Sequence, residues 1–226
     1  MDGIVSFVAD ELSARADSDR AVAMAAYMKT EMPFHGVPTP QRRVILREAL
    51  VRYPIRSQAE YRGAVMALWD LPHREEKYVA VGLAIAERRW ITFENLDLYR
   101  RLIVDGAWWD FVDSVAANLI GKVLLEEPDR MWPTLDAWID DQDLWLRRTA
   151  ILAQLKHKDR TDTDRLFDYC LRRAHEKEFF IRKAIGWALR EYAKTDSVSV
   201  SRFLLEHREE LSGLSFREAA KHLDLG

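Results

Sequence analysis

A single cysteine, Cys170, gives the 226-residue chain no partner for an intrachain disulfide. A chain without that crosslink suits a reducing cytosol, and one thiol cannot build a zinc finger. No activating pattern surrounds Cys170, so it reads as a buried filler on a helix. Long hydrophobic runs are also missing. The longest uncharged apolar stretch, Tyr78 to Ala86, falls well short of the roughly 20 residues that span a bilayer, so no membrane association is expected. No secretory leader is expected either, because Asp2 and Asp10 precede the first basic residue, Arg15. Glycine (9) and proline (7) are sparse. They form no low-complexity tract and no Gly-rich phosphate loop of the dinucleotide or P-loop type. The six histidines (His35, His73, His157, His175, His207 and His222) show no paired metal-ligand spacing and read as surface residues. The expectation is a protein without metal or cofactor.

What is present is helical periodicity. With 48% apolar and 31% charged residues, the chain can bury a core, here expected as one domain over residues 1–226. Val44, Ile45, Ala49 and Leu50 recur at helical steps, as do Val79, Leu83 and Ala86, and Ile151, Leu152 and Leu155. Strand alternation is almost absent. The prolines fall at breaks between segments, and Pro40 and Pro133 are placed to open helices.

The helical segments repeat. Arg42, Lys77, Asp113, Arg147, Arg182 and Arg217 occupy equivalent places, at spacings of 35, 36, 34, 35 and 35 residues. A period near 35 with a small or apolar helix after each mark predicts an all-α fold. It would be an α-solenoid of about six HEAT-like helix pairs, curved, with a concave nucleic-acid-binding face. Five of the six marks are cationic, and the adjoining column adds Arg43, Arg148 and Lys183. Successive units align equivalent residues, so such a row would suit a polyanion, although solvated first-turn cations are common in helical repeats. The net charge of −3 runs against nucleic-acid binding. Residues 141–194, however, hold 13 Lys and Arg against 9 Asp and Glu, which leaves the acidity to the rest of the chain.

Asp113 is the exception in the cationic row. It lies in Trp108-Trp109-Asp110-Phe111-Val112-Asp113. Adjacent helical residues point about 100° apart, so both tryptophans cannot face one core. Trp109 and Asp113, four apart, share a face. Trp109, Arg148 and Trp187 are separated by 39 and 39 residues, close to the repeat, so a carboxylate, an arginine and two indoles could converge. Indole faces attract flat cations, a carboxylate stabilises developing positive charge or activates water, and an arginine grips phosphate. The plainer alternative is two core indoles and a helix-capping aspartate.

Five stretches then carry a resemblance: AAYMKTEMPFHGVPTPQRR from Ala25, LWDLPHRE from Leu68, WWDFVDS from Trp108, WLRRTAILAQLKHK from Trp145 and EFFIRKAIGWALREYAKT from Glu178. In motif content and spacing the chain resembles the AlkD-like DNA-alkylation-repair family of bacterial HEAT-repeat DNA glycosylases, from about Ile4 to Leu223. The resemblance implies excision of N3- and N7-alkylpurines from duplex DNA, without cofactor and without extruding the lesion into a pocket. It implies that Asp113 stabilises an oxocarbenium-like sugar and positions water. Trp109 and Trp187 would pack beside the lesion, and Arg148 would hold a nearby phosphate. Tyr27, Thr39 and Arg43 would add DNA contacts, with Lys156, Lys183 and Lys194 as further backbone contacts. A cationic purine leaves readily and no lysine stands out as an imine-forming nucleophile, so the expected enzyme is monofunctional. It is expected to act as a cytoplasmic monomer. Two rivals stay open: a relative tuned to bulky natural-product adducts, and a non-catalytic repeat scaffold that binds protein.

Overall fold

The computed structural model describes residues 2–225, and the described residues are helical with no strand. Contacts cluster into two compact units, Met1–Ile91 and Thr92–Gly226. No helix among the described residues is long and apolar enough to cross a membrane.

The first unit holds α1 (Asp2–Ala14), α2 (Ser18–Met28), α3 (Thr39–Arg52), α4 (Gln58–Trp69) and α5 (Arg74–Ala86). Ile4, Val8 and Leu12 recur every four residues on α1 and are buried, giving one apolar stripe that packs against α3 and α5. On α3 the buried stripe is Ile45 and Ala49, while Val44 is 42% exposed. Side-chain oxygens start two of these helices. Asp17 accepts from the Arg20 amide at 2.9 Å and Ser57 from the Glu60 amide at 3.2 Å, each satisfying an orphan first-turn donor. Pro40 lies in the first turn of α3, as expected.

The segment between α2 and α3 is held by the start of α5. The fully buried Glu75 carboxylate accepts the backbone N–H groups of His35 (3.0 Å), Gly36 (2.8 Å) and Val37 (3.0 Å). Three charge-assisted bonds offset the cost of burying that charge. Gly36 sits at φ +87°, and a Cβ there would meet the Asp17 carbonyl oxygen at 2.1 Å, so only glycine fits this turn.

The second unit holds α6 (Leu96–Gly106), α7 (Trp109–Val115), α8 (Gly121–Glu126), α9 (Pro128–Trp138), α10 (Leu144–Leu152), α11 (Thr163–Arg172), α12 (Phe179–Ala193), α13 (Ser197–Glu206) and α14 (Gly213–Ala219). A π-helical turn, Ala116–Ile120, joins α7 to α8 immediately after the turn that carries Asp113; such turns often mark functional sites. Pro128, not Pro133, opens α9, and Pro133 lies inside it. Cys170 is buried on α11, and that burial pushes its thiol far above the ordinary range. The α12–α14 pairing is intimate because Gly186 has no side chain: a Cβ there would lie 2.5 Å from the Glu218 Cβ.

Every mark of the 35-residue rhythm falls on the fourth or fifth residue of a helix: Arg42 on α3, Lys77 on α5, Asp113 on α7, Arg147 on α10, Arg182 on α12 and Arg217 on α14. Their use differs from the expected polyanion row. Lys77 donates to the carbonyls of Trp69 and Leu71, at and just beyond the end of α4. Arg147 donates to the carbonyls of Asp141 (2.7 Å) and Gln142 (2.8 Å), beyond the end of α9. The chain leaving a helix has carbonyls with no partner in the helix, and a cation from the next helix satisfies them. Arg42 is stacked 4.1 Å over the Tyr78 ring and donates to Thr39 Oγ1. Three of the five cations therefore have intramolecular work.

A candidate active-site cleft in the second unit

The WWDFVD segment splits its two indoles as helix geometry requires. Trp108, the N-cap of α7, packs in an aromatic cluster with Trp145 (6.1 Å between ring centroids) and Phe180 (5.4 Å). Trp109, one residue on, turns into a cleft of 310 Å³. Asp113, one turn further along α7, lines the same cleft, together with Arg148 of α10 and Phe179, Phe180, Lys183, Trp187 and Arg190 of α12. Glu218 of α14 completes the lining. The structure thus brings five expected residues together: Trp109, Asp113, Arg148, Lys183 and Trp187.

Arg148, expected to hold a phosphate, is paired with Asp113 within the chain. Its Nε donates to Asp113 Oδ1 at 2.7 Å and its Nη2 to Asp113 Oδ2 at 2.9 Å, a two-pronged pair. Nη1 donates to the Phe180 carbonyl. The side chains are 5% exposed for Arg148 and 12% for Asp113, so the arginine is a wall of the site and the carboxylate keeps a small opening to it. Each carboxylate oxygen carries a second lone pair that the fork leaves uncommitted. Burial pushes the Asp113 carboxyl above the usual carboxylate range, against the opposing pull of Arg148. In the fold, Asp113 therefore contributes stability when protonated. That contribution is fully present below the unfolded pKa and lost as pH rises through the folded one. A carboxylate kept charged here costs the fold something, as functional groups often do.

Lys183 and Arg190 are the other cations of the cleft, and both are engaged by Glu218. Its Oε1 lies 2.9 Å from Lys183 Nζ and its Oε2 2.7 Å from Arg190 Nη1. Lys183 first, then Arg190, holds the Glu218 carboxyl below its ordinary range. Arg190, Phe179, Phe180 and Glu218 line the cleft in addition to the residues expected from the sequence. The first was legible: Phe180, Lys183, Trp187 and Arg190 follow each other at three, four and three residues, one face of α12.

The remaining expected contacts lie elsewhere. Lys156 is exposed and donates to Asn118 Oδ1 at 2.6 Å. Lys194 pairs with Glu191 at 2.6 Å and lines a second cleft of 250 Å³ with Lys158, Tyr192 and Thr195. In the first unit, Tyr27 is 76% exposed, and Thr39 and Arg43 are exposed at the start of α3. Two expectations about histidine are corrected. His157 is buried at 3% exposure, with its ring nitrogen 2.9 Å from the Gly121 carbonyl oxygen. His35 and His73 stack on each other with ring centroids 3.7 Å apart, beside Glu76.

An all-helical protein with a carboxylate–arginine pair set among aromatic walls is the class that fold and site define. A family model described as DNA alkylation repair enzyme matches residues 8–223, and the chain belongs to that family. Among solved structures, one described as a predicted DNA alkylation repair enzyme from Enterococcus faecalis is similar at 29% identity and a TM-score of 0.85. That match covers 93% of this chain and 98% of the other. AlkD2 from Streptococcus mutans shares the fold at 15% identity and a TM-score of 0.63, covering 90% and 99%. A second Streptococcus mutans protein, smu.31, does so at 15% and 0.62, covering 79% and 91%. No curated sequence matched the chain.

Proposed function

We propose that the chain is a monofunctional DNA glycosylase that hydrolyses the bond between deoxyribose and a cationic N3- or N7-alkylated purine in duplex DNA. The observation that carries this reading is the Asp113 carboxylate, forked by Arg148 and opening into the cleft lined by Trp109 and Trp187. Alkylation makes the purine a cation, so the glycosidic electron pair departs with it and a neutral base is released. No general acid is required. The sugar left behind carries positive charge at C1′ and O4′, which a nearby carboxylate stabilises. Water then adds at C1′ and its proton passes to the carboxylate or to solvent. Arg148 keeps both carboxylate oxygens in one plane and one orientation, so little reorganisation is needed as charge develops. The indole faces favour the flat, charged base and its sugar.

The cations left for DNA phosphates in this cleft are Lys183 and Arg190, which trade Glu218 for phosphate on binding. Lys183 in its ion pair is an ammonium without a free lone pair, which fits hydrolysis rather than imine formation. An oligonucleotide duplex with a single N7-methylguanine tests the reading. The expected product is an alkali-labile abasic site, with no direct strand cleavage and no borohydride-trapped adduct. A duplex left unchanged would overturn it.

Two further outcomes follow. Glu218→Gln releases both cations, and with each partly exposed pair worth about 0.2–1 kcal/mol, duplex affinity should rise about 2- to 30-fold at low salt. Fluorescence anisotropy checks this, and an unchanged affinity would remove Lys183 and Arg190 from phosphate binding. Excision should also weaken in acid, because it needs the ionised Asp113. Burial raises that group, so the rate should begin to fall at a pH above the ordinary carboxylate range near 4. Single-turnover rates across pH report it, with intact fold checked at each point.

A further inference from the structure

We propose that the first unit carries a binding site for a divalent transition-metal ion, Zn²⁺ or one of its imidazole-seeking neighbours, formed by His35, His73 and Glu76. Their ligand atoms all lie within 4.8 Å of one another. Glu76 Oε1 is 3.2 Å from His35 Nε2 and 3.5 Å from His73 Nδ1. Four-coordinate zinc with bonds of about 2.0–2.1 Å sets neighbouring ligand atoms about 3.3 Å apart, so two edges of the polyhedron are already in place. His73 Nδ1 is buried and faces the Glu76 amide at the start of α5 without a well-formed hydrogen bond, which is a cost unless something occupies it. Two imidazoles and one carboxylate favour zinc, nickel, copper or cobalt over magnesium or calcium.

The site is held on firm supports. His35 stands where Glu75 clasps three successive amides. His73 and Glu76 sit at the start of α5, where Glu76 Oε2 accepts the His73 amide at 2.8 Å. A helix N-terminus repels a cation, and the paired negative charges of Glu75 and Glu76 offset that field. The two rings lie 23° from parallel, so capture requires one ring to turn its lone pair toward the ion. His73, with 31% of its side chain exposed, has room to do so, and rotation about the ring bond is soft. The fourth position would be taken by water on that exposed side. The bound ion would tie the segment before α3 to α5 and stabilise the unit by linkage. It needs no part in the reaction at Asp113.

The test uses untagged full-length protein stripped with a chelator, titrated with ZnCl₂ by calorimetry and with CoCl₂ by visible absorption. The expected result is uptake of one equivalent, a raised thermal midpoint and the ligand-field bands of four-coordinate cobalt. His73→Asn and Glu76→Gln should each weaken uptake by more than ~10-fold. His175→Asn, an exposed histidine of the second unit, should leave it unchanged. His73→Asn is the decisive variant if Glu76→Gln fails to fold, because an asparagine can still cap the start of α5, where the His73 side chain faces the Glu76 amide. No uptake, or uptake undiminished in His73→Asn, would overturn the site.

Discussion

Asp113→Asn should reduce the single-turnover rate of alkylpurine release by about 10²–10³-fold or more, the usual cost of removing one preorganised electrostatic group from a reaction centre. Asparagine is nearly isosteric and its amide oxygen still accepts one bond from Arg148, so the α7 turn and the indole walls keep their shape, although the uncompensated guanidinium lowers the thermal midpoint. What disappears is the negative charge facing C1′. Binding to a duplex with an abasic-site analogue should be equal or slightly tighter, because a carboxylate no longer opposes the phosphates and Arg148 keeps its charge. That split between rate and affinity separates a role in chemistry from a role in packing. Equal losses of both would mark Asp113 as a structural residue, and an unchanged rate would remove it from the reaction.

Arg148→Ala should have the largest effect on the fold. Removing one member of a buried ion pair leaves the other charge uncompensated, at a cost of about 3–5 kcal/mol. At this chain length each kcal/mol moves the thermal midpoint by about 2–4 °C, so a fall of about 10 °C is expected. Asp113, deprived of its counter-charge, would take up a proton at still higher pH, and excision at neutral pH would fall with it. Arg148→Lys should lie between, since an ammonium keeps the charge but cannot make the two parallel bonds. The salt dependence of DNA binding discriminates two roles for this arginine. A phosphate contact would lower the slope by about one when removed; a group committed to Asp113 leaves it unchanged. A lowered slope in Arg148→Ala would support the phosphate contact that the resemblance implies.

The repeat explains what was legible in the sequence and what was not. Units spaced by about 35 residues touch their neighbours, so contacts recur at that separation. Asp113 meets Arg148 35 residues on, Lys183 meets Glu218 35 residues on, and Gly121 meets His157 36 residues on. The convergence of Trp109, Asp113, Arg148 and Trp187 could therefore be read from spacing and helix faces. The partners of the aligned cations could not. Whether Lys77 or Arg147 meets DNA or a backbone carbonyl depends on how the preceding helix ends, and that is fixed by loop geometry. The pairing of His35 with His73 was hidden for the same reason. Their 38-residue separation carries no ligand pattern, and they meet because Glu75 draws the backbone of His35 against α5. Pro133 misled because Pro128 already occupies the first turn of α9.

Chromatographic detection of free base after mixing the purified protein with methylated duplex DNA bears most directly on the whole account. The wild-type chain should release 7-methylguanine or 3-methyladenine in amounts that grow with enzyme and time, while Asp113→Asn releases almost none. Duplex DNA bound by the wild-type chain with no free base above the spontaneous background would contradict it and leave a binding protein in place of an enzyme.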